Sequence, residues 1–414
     1  MPERLIILGG GFAGIRAARL LSGSKFEITL VDQQNYHLFA PLLYQVAVGD
    51  LESTAIATPM RRVLRDTGLR FHWGQVTHID WIERRLHCGD GSTLMWDRLL
   101  LAFGSVTNFF GSIQIAEGAQ QLKGLDAAEQ TRSAVLAAVE RASHSDDPLE
   151  RKRLLTFVIA GGGATGVEFC GALLELLKIL LLRDYPELGA VRPRVVMVQG
   201  AKALLPGFAP ALQAYAAKSL SNLGAEICYG SHVSGFDAQG THLDSGAVIP
   251  SGVLIWTAGV RPHPLAEQIP GEKTRVGRIV VDAHLRLPHD ARVSVLGDLA
   301  YGETAGVPWP QVAPFAIQSA SHAVRCLSAE AAGRALPAPF QYRDPGGMAV
   351  LGRFDGICQI PRYHVQATGF SAWALWAGVH LYGIVGTKNR LLTLLDWSRD
   401  YFRHGAAVPR IRAQ

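Results

Sequence analysis

In Arg4-Leu-Ile-Ile-Leu-Gly-Gly-Gly-Phe-Ala-Gly-Ile-Arg16 an apolar run enters Gly9, Gly11 and Gly14, with Phe12 and Ala13 between them, and continues into Ala17, Ala18, Leu20 and Leu21. Strand, tight turn and helix are expected in that order. Gly9 permits the turn, Gly11 lets backbone N–H groups approach a pyrophosphate, and Gly14 lets the helix pack close to the strand with its N-terminus toward the phosphates. Phe26-Glu-Ile-Thr-Leu-Val-Asp32 supplies a second strand, ending in a carboxylate 18 residues after Gly14 with Gln33 beyond it. That is near the ~20 residues expected for a partner of the ribose diol. Such a unit holds the adenosine diphosphate half of FAD or NAD; the competing reading is a glycine-rich core turn in an unrelated α/β domain.

Outward from that unit, the turn repeats. Leu154-Leu-Thr-Phe-Val-Ile-Ala-Gly-Gly-Gly-Ala-Thr-Gly-Val-Glu168 again places an apolar run before Gly161, Gly163, Thr165 and Gly166. Two such units in one chain point to a flavoprotein that also binds a nicotinamide nucleotide. The strand after the second turn, Arg194–Gln199, ends in Gln199 rather than a carboxylate, with Lys202 three residues on. A carboxylate repels a 2′-phosphate and an amide can donate to one, so NADPH stays open beside NADH; Gln199 can equally bond the ribose hydroxyls of NADH.

At 414 residues the chain exceeds one comfortable core. Its apolar fraction of 48% and charged fraction of 18% describe a folded α/β protein. The expected division is 1–120 for a first FAD-binding part, 121–270 for the NAD(P)H-binding domain, 271–345 for a return segment and 346–414 for a C-terminal membrane-association region. The five cysteines are scattered, without a C-x-x-C or metal-ligand spacing, so no metal site, iron–sulfur cluster or vicinal dithiol is expected. The first strand begins by Leu5, which leaves no room for a signal peptide and suggests an intracellular protein.

Between the two units, the aromatic segment 34–49 contains Pro41 and Leu42 and reads as a loop followed by a short helix, either walling an isoalloxazine ring or covering the core. Helices are expected over 52–66 and 122–141, and a linker over 143–153. Buried strands end at Ala102 and Gly104 and at Ala258 and Gly259, where glycine lets backbone approach a ligand. Gly297 and Asp298 end another; Asp298 there can accept a flavin ribityl hydroxyl or simply mark a turn.

Several stretches together resemble the type II, non-pumping NADH:quinone oxidoreductases: Tyr36–Ala47, Leu101–Gly111, Gly161–Glu168, Ile255-Trp-Thr-Ala-Gly-Val-Arg261, Gly297-Asp298, Ala313–Gln318, Val379–Tyr382 and Lys388-Asn-Arg390. The resemblance implies two Rossmann-like domains, FAD on the first, NADH or NADPH on the second, and a membrane quinone as acceptor. By position Glu168 is like the family glutamate beside nicotinamide and quinone, although a carboxylate there can also serve the helix dipole. Where family members often carry Ala-Gln-x-x-x-Gln, this chain has Ala313-Pro-Phe-Ala-Ile-Gln318, so Pro314 replaces the first glutamine, and the resemblance implies either that Gln318 and backbone take over its catalytic contact to a quinone carbonyl or that the acceptor differs. His322, one turn later, either faces the same opening or lies at the surface, and the surface is the expectation.

The stretch 370–386 has no Asp, Glu, Lys or Arg, but His380, three glycines and the headgroup-level residues Trp373, Trp376 and Tyr382 argue against a span. Beyond it, Leu391, Leu394, Leu395, Ser398 and Phe402 share a helical face, and from Thr387 on six cations stand against two anions. Helices lying in a membrane interface are expected, on the cytoplasmic face of the cell inner membrane, with a core-packing pair or a homodimer contact as alternatives. Nucleic acid would not explain so much leucine and tryptophan. The rival functions are a sulfide:quinone oxidoreductase, which needs a cysteine pair beside the flavin, and a slow-turnover regulatory flavoprotein.

Overall fold

The computed structural model describes residues 2–188 and 191–402. The chain forms two compact units. One holds the chain up to Leu38, Ala57–Val106 and Val260–Asp344; the other holds Phe39–Ile56, Thr107–Gly259 and the described residues from Pro345 on. The aromatic segment after Leu38 and the described C-terminal region belong to the unit that carries the second glycine turn.

The first unit is built on a six-stranded sheet in the order Arg286–Leu287, Asp290–Val295, Arg98–Leu101, Arg4–Leu8, Glu27–Asp32 and Arg70–Trp73. Every neighbour is parallel except the Arg286–Leu287 edge. Central strands buried on both faces need apolar runs, and Leu5, Ile7, Leu30, Leu99, Leu100 and Leu101 are fully excluded from solvent. The helices Phe12–Leu20 and Ala313–Ala331 pack together.

The second unit repeats the plan with five parallel strands: Gln120–Gln121, Val253–Trp256, Thr156–Ala160, Arg194–Gln199 and Ala225–Tyr229. The helix Ala164–Arg183 follows its glycine turn and lies against a three-stranded antiparallel sheet, Gly347–Gly352, Asp355–Ile360 and Val365–Thr368. A Cβ at Gly171 would stand 2.2 Å from the Leu351 carbonyl oxygen, so that residue must be glycine for the helix to sit this close.

Two local expectations are corrected. The continuous helix over 52–66 is instead two short ones, Ser53–Ile56 and Met60–Val63, separated by the strand Ala57–Pro59 paired with Tyr36–Leu38. Pro59 disfavours helical geometry at Thr58, and the paired strand accommodates the extended form. The polar linker over 143–153 contains the helix Pro148–Leu154, because Asp147 caps it through a bond from the Leu149 N–H at 2.9 Å and Pro148 opens it.

The C-terminal helices are Gly369–Gly383 and Thr387–Phe402. Trp376 and Trp397 are buried with ring centroids 5.5 Å apart, and the Trp397 indole N–H donates to Gln45 Oε1 at 2.9 Å. No helix among the described residues is long and apolar enough to cross a membrane. The side chains of Arg399, Asp400, Tyr401 and Phe402, and all of 403–414, including Arg403, Arg410 and Arg412, lie outside the described residues.

Candidate active site: two nucleotide cradles and a buried carboxyl

The two glycine turns have the same construction. Gly9 has φ of 109°, and a Cβ on it would stand 2.4 Å from the Ala102 carbonyl oxygen; on Gly14 it would stand 1.8 Å from the Gly9 oxygen. A Cβ on Gly11 would meet nothing within 4 Å. Gly161 has φ of 105°, with its Cβ position 2.8 Å from Ala258 Cα, and that of Gly166 falls 2.0 Å from the Gly161 oxygen. Gly163 is open in the same way as Gly11. In each turn the outer glycines are needed by the protein itself, while the middle one keeps a space clear at a helix N-terminus. Gly11 and Gly163 are the N-caps of their helices and provide no side-chain cap, so N–H groups there are available to an anion.

Around the first turn, Asp32 Oδ2 accepts the Gly10 N–H at 2.5 Å and Oδ1 accepts the Gln34 N–H at 2.7 Å. Burial raises the Asp32 pKa, while these two bonds pull it down. The Gly10 carbonyl is held by His37 Nδ1 at 2.9 Å, and since a carbonyl only accepts, Nδ1 carries the hydrogen. His37 is buried, which lowers its pKa, and it meets the edge of Phe12 at 5.5 Å. Ala13 is buried behind the turn. Asp32, Gln33, Gly9 and Phe103 line an open cleft that His263 also borders.

Elsewhere in the first unit, Ala102 is buried and Gly104 has φ of 69°. Ser105 Oγ donates to Asp298 Oδ2, and Gln311 Nε2 donates to the Asp298 carbonyl at 3.2 Å. The preceding Gly297, with φ of 60°, donates its N–H to Ser319 Oγ at 3.1 Å. Ala313 and Pro314 start their helix, where the N–H that proline lacks has no intrahelical partner to lose. Gln318 is held by its neighbour: Nε2 donates to the Arg343 carbonyl at 2.7 Å and Oε1 accepts the Arg343 N–H at 3.0 Å. Both ends of the amide are therefore used within the protein.

In the second unit, Gln199 occupies the place of Asp32. Its Oε1 accepts the Gly162 N–H at 2.9 Å and its Nε2 donates to the Ala203 carbonyl at 3.1 Å. Thr257 Oγ1 donates to the carbonyls of Ala160 at 2.8 Å and Gly161 at 3.0 Å, fixing the turn beside exposed Ala258 and half-buried Gly259. Thr165 is exposed at the helix start. Of the two residues expected to wall a flavin, Pro41 is half-buried and Leu42 is fully enclosed in the second unit.

Glu168 is buried on the helix Ala164–Arg183. Its Oε1 accepts the Val350 N–H at 3.3 Å, and the indole of Trp376 favours the ionised form as well. Burial outweighs both and pushes its pKa up to about 8, so the carboxyl carries a proton at neutral pH. A carboxyl held neutral in this way can give up or take on a proton near physiological pH.

The expectation for His322 is corrected. It is buried, 2% exposed, against Phe340 and parallel to His284. The signal was present in the sequence, since Phe315, Ser319, His322 and Cys326 recur at helical spacing on the inner face. The roles of His37, Ser105 and the Gln45–Trp397 pair had no such signal, because each depends on a partner distant in sequence. All five cysteines are free.

Two glycine-turn cradles, one on a parallel sheet and one on a sheet parallel but for its Arg286–Leu287 edge, define a two-nucleotide oxidoreductase architecture. Residues 3–325 match the family model of the pyridine nucleotide-disulphide oxidoreductases. Two relatives from Mycobacterium tuberculosis, both type II NADH:quinone oxidoreductases, are 38% identical over 96% of this chain and 87% of their own, and 33% identical over 100% and 90%. A probable NADH dehydrogenase of Dictyostelium discoideum is 31% identical over 96% of this chain and 89% of its own. The solved structure of Plasmodium falciparum NDH2 in complex with NADH covers 99% of this chain and 100% of its own at a TM-score of 0.90, and its 18% identity establishes likeness of fold. The chain belongs to the type II NADH:quinone oxidoreductase family.

Proposed function

We propose that this protein oxidises NADH with a tightly held FAD and delivers two electrons to a membrane quinone, without pumping protons. FAD takes the first cradle, with Gly9, Gly11, Gly14, Asp32, Gly104, Gly297 and Asp298 as its candidate contacts. The nicotinamide nucleotide takes the second, at Gly161, Gly163, Thr165, Gly166, Gln199, Ala258 and Gly259. The observation that carries this is the matched pair of turns, each leaving one glycine facing open space at a helix N-terminus. When bound, FAD supplies the two-electron redox chemistry.

The residues supply binding and a proton. Both cradles position phosphates through backbone N–H groups, which commit no side-chain charge to the task. NADH, a proton and quinone give NAD⁺ and quinol, so one proton is needed beyond the hydride, and the Glu168 carboxyl is a store for it. The Gln199 amide keeps a second N–H beyond its bond to Ala203, which can donate to a ribose hydroxyl or to a 2′-phosphate, so NADPH stands beside NADH as a nucleotide to test. Gln318 acts by holding the backbone at Arg343; Pro314 shapes the helix start. No two of the five free cysteines are joined, and Cys170 is buried with its pKa raised to about 12, which disfavours sulfide:quinone chemistry.

Membrane contact is assigned to the last two helices. Phe370, Leu375, Val379 and Tyr382 on one, and Leu391, Leu394 and Leu395 on the other, are exposed by 40–80%. This suits peripheral attachment at the cytoplasmic face of the cell inner membrane, where each half-exposed leucine contributes on the order of 1 kcal/mol. Replacing Leu391, Leu394 and Leu395 by serine is expected to release the protein from anionic vesicles in a flotation assay; unchanged flotation would remove this assignment. For the reaction itself, purified protein is assayed with NADH or NADPH against a panel of quinones. Steady quinol formation with NADH is the expected result, and a yellow protein unable to reduce any quinone would refute it.

A further inference from the structure

A cluster outside both cradles joins three residues that sequence spacing left unconnected. His322 and Cys326 are four residues apart on the helix Ala313–Ala331 and so share a face. His284 comes from the tight turn before the strand Arg286–Leu287, where Asp282 Oδ1 accepts the N–H groups of His284 and Arg286, both at 2.8 Å. One ligand-capable atom from each residue lies within 4.8 Å of the other two. Cys326 Sγ is 3.9 Å from His284 Nδ1, and the two imidazoles are parallel, with planes 9° apart and centroids 5.8 Å apart.

A second observation concerns His322 alone. It is 2% exposed, and its Nε2 has no hydrogen-bond partner. A buried ring nitrogen without a partner carries a desolvation cost that a ligand would remove. Burial and the nearby Arg325 push its pKa down to about 4, which keeps the ring neutral as metal coordination requires. Burial pushes the Cys326 thiol up to about 11, so a bound ion would displace its proton. The surrounding charges are Arg286 and Arg325 against Asp282 and Glu330, with Arg286 bonded to both acids at 3.2 and 2.9 Å.

We propose that His284, His322 and Cys326 form a binding site for a metal ion of the zinc class, which straps the Ala313–Ala331 helix to the turn carrying His284. Two imidazoles and one thiolate suit Zn(II) and its spectroscopic substitute Co(II), with a water completing the tetrahedron. Coordination through Nε2 moves the ring hydrogen of His322 to Nδ1. That displaces Arg325, which now approaches Nδ1 at 3.3 Å and is exposed enough to turn to solvent. The strapped helix is the one that opens with Ala313 and Pro314 and carries Gln318, so occupancy stiffens the segment that presents these residues.

The test uses the full-length, flavin-loaded protein after washing with a chelator. Titration with Co(II) is expected to produce tetrahedral d–d absorption to the red of the flavin, saturating at one ion per chain and abolished by one equivalent of Zn(II). Zn(II) is expected to raise the melting temperature of the native chain. Cys326→Ser should lose the bands, and His284→Ala, at a half-exposed position that folding tolerates, should lose both the bands and the thermal shift while keeping its flavin spectrum. Absence of the bands in the native protein, or their persistence in the His284→Ala variant, overturns the proposal.

Discussion

The turn at Gly9–Gly14 and the turn at Gly161–Gly166 share one construction and differ most tellingly in the strand-end side chain that braces each, Asp32 in one and Gln199 in the other. In both, the outer glycines are pinned by close backbone and the middle one is open. In both, a side chain from the next strand accepts the N–H of the neighbouring glycine: Asp32 from Gly10 and Gln199 from Gly162. The backbone thus needs an oxygen acceptor there but does not require a charge, which leaves charge free to be set by the nucleotide. Five residues past the open glycine the helices diverge further. Arg16 is exposed and reaches Ser321 at 2.9 Å, whereas Glu168 is buried against Val350 and Trp376. The helix after the second turn thus carries a buried carboxyl where the helix after the first carries an exposed guanidinium.

The largest expected effect breaks the two turns separately. Gly11→Val fills the open space of the first and is expected to yield folded but colourless protein, checked by the visible spectrum and circular dichroism. Gly163→Val should stay yellow and raise the KM for NADH by tenfold or more, about 1.4 kcal/mol of lost binding. If both variants lose the same ligand, the assignment of one nucleotide to each cradle is wrong.

An intermediate effect separates the helices. Glu168→Gln is expected to lower kcat by about tenfold with flavin retained, and to abolish the alkaline limb of the pH–rate profile near pH 8. Stability carries the same signature. The Glu168 pKa is raised from 4.5 to about 8, so the folded state holds a proton that the unfolded state has lost between those values. Native stability should therefore fall as pH rises through that window and level off above about 8, and the glutamine variant should lack this decline. Superimposable pH–melting curves for the two proteins would contradict the buried, protonated carboxyl.

The smallest effect concerns the differing side chain. Gln199→Glu keeps the oxygen that Gly162 needs and is expected to raise the NADH-to-NADPH preference by several-fold, in line with ~1 kcal/mol for one hydrogen bond changed. Ratios of kcat/KM for the two nucleotides check it, and an unchanged ratio places Gln199 away from the ribose.

The features legible in the sequence were those written in local spacing. Gly9, Gly11, Gly14 and Asp32, and their counterparts from Gly161 to Gln199, could be read because each lies on a strand or turn of one βαβ unit. The break at Ala57–Pro59 was not legible, since it exists only because Tyr36–Leu38 offers it a partner. The capped helix at Pro148 was legible in principle from Asp147 and Pro148, but the surrounding charges read as a linker. Leu42 and Gln45 illustrate the harder case. Their segment reads as a flavin wall or as a core cover, and what no spacing announces is that Gln45 receives a bond from Trp397, a partner separated by most of the chain, while Leu42 is enclosed. The buried setting of Glu168 likewise comes from Val350 and Trp376, which no spacing near the second turn announces.

The central claim, that one chain holds FAD and NADH in separate cradles and couples them to a quinone, is tested most directly by anaerobic mixing. Purified protein is mixed with NADH in a stopped-flow spectrometer and then with quinone, following the visible flavin band. The account predicts rapid bleaching by NADH and full return of the band on adding quinone. A flavin that stays oxidised with NADH present, or a preparation with no flavin band at all, would contradict it.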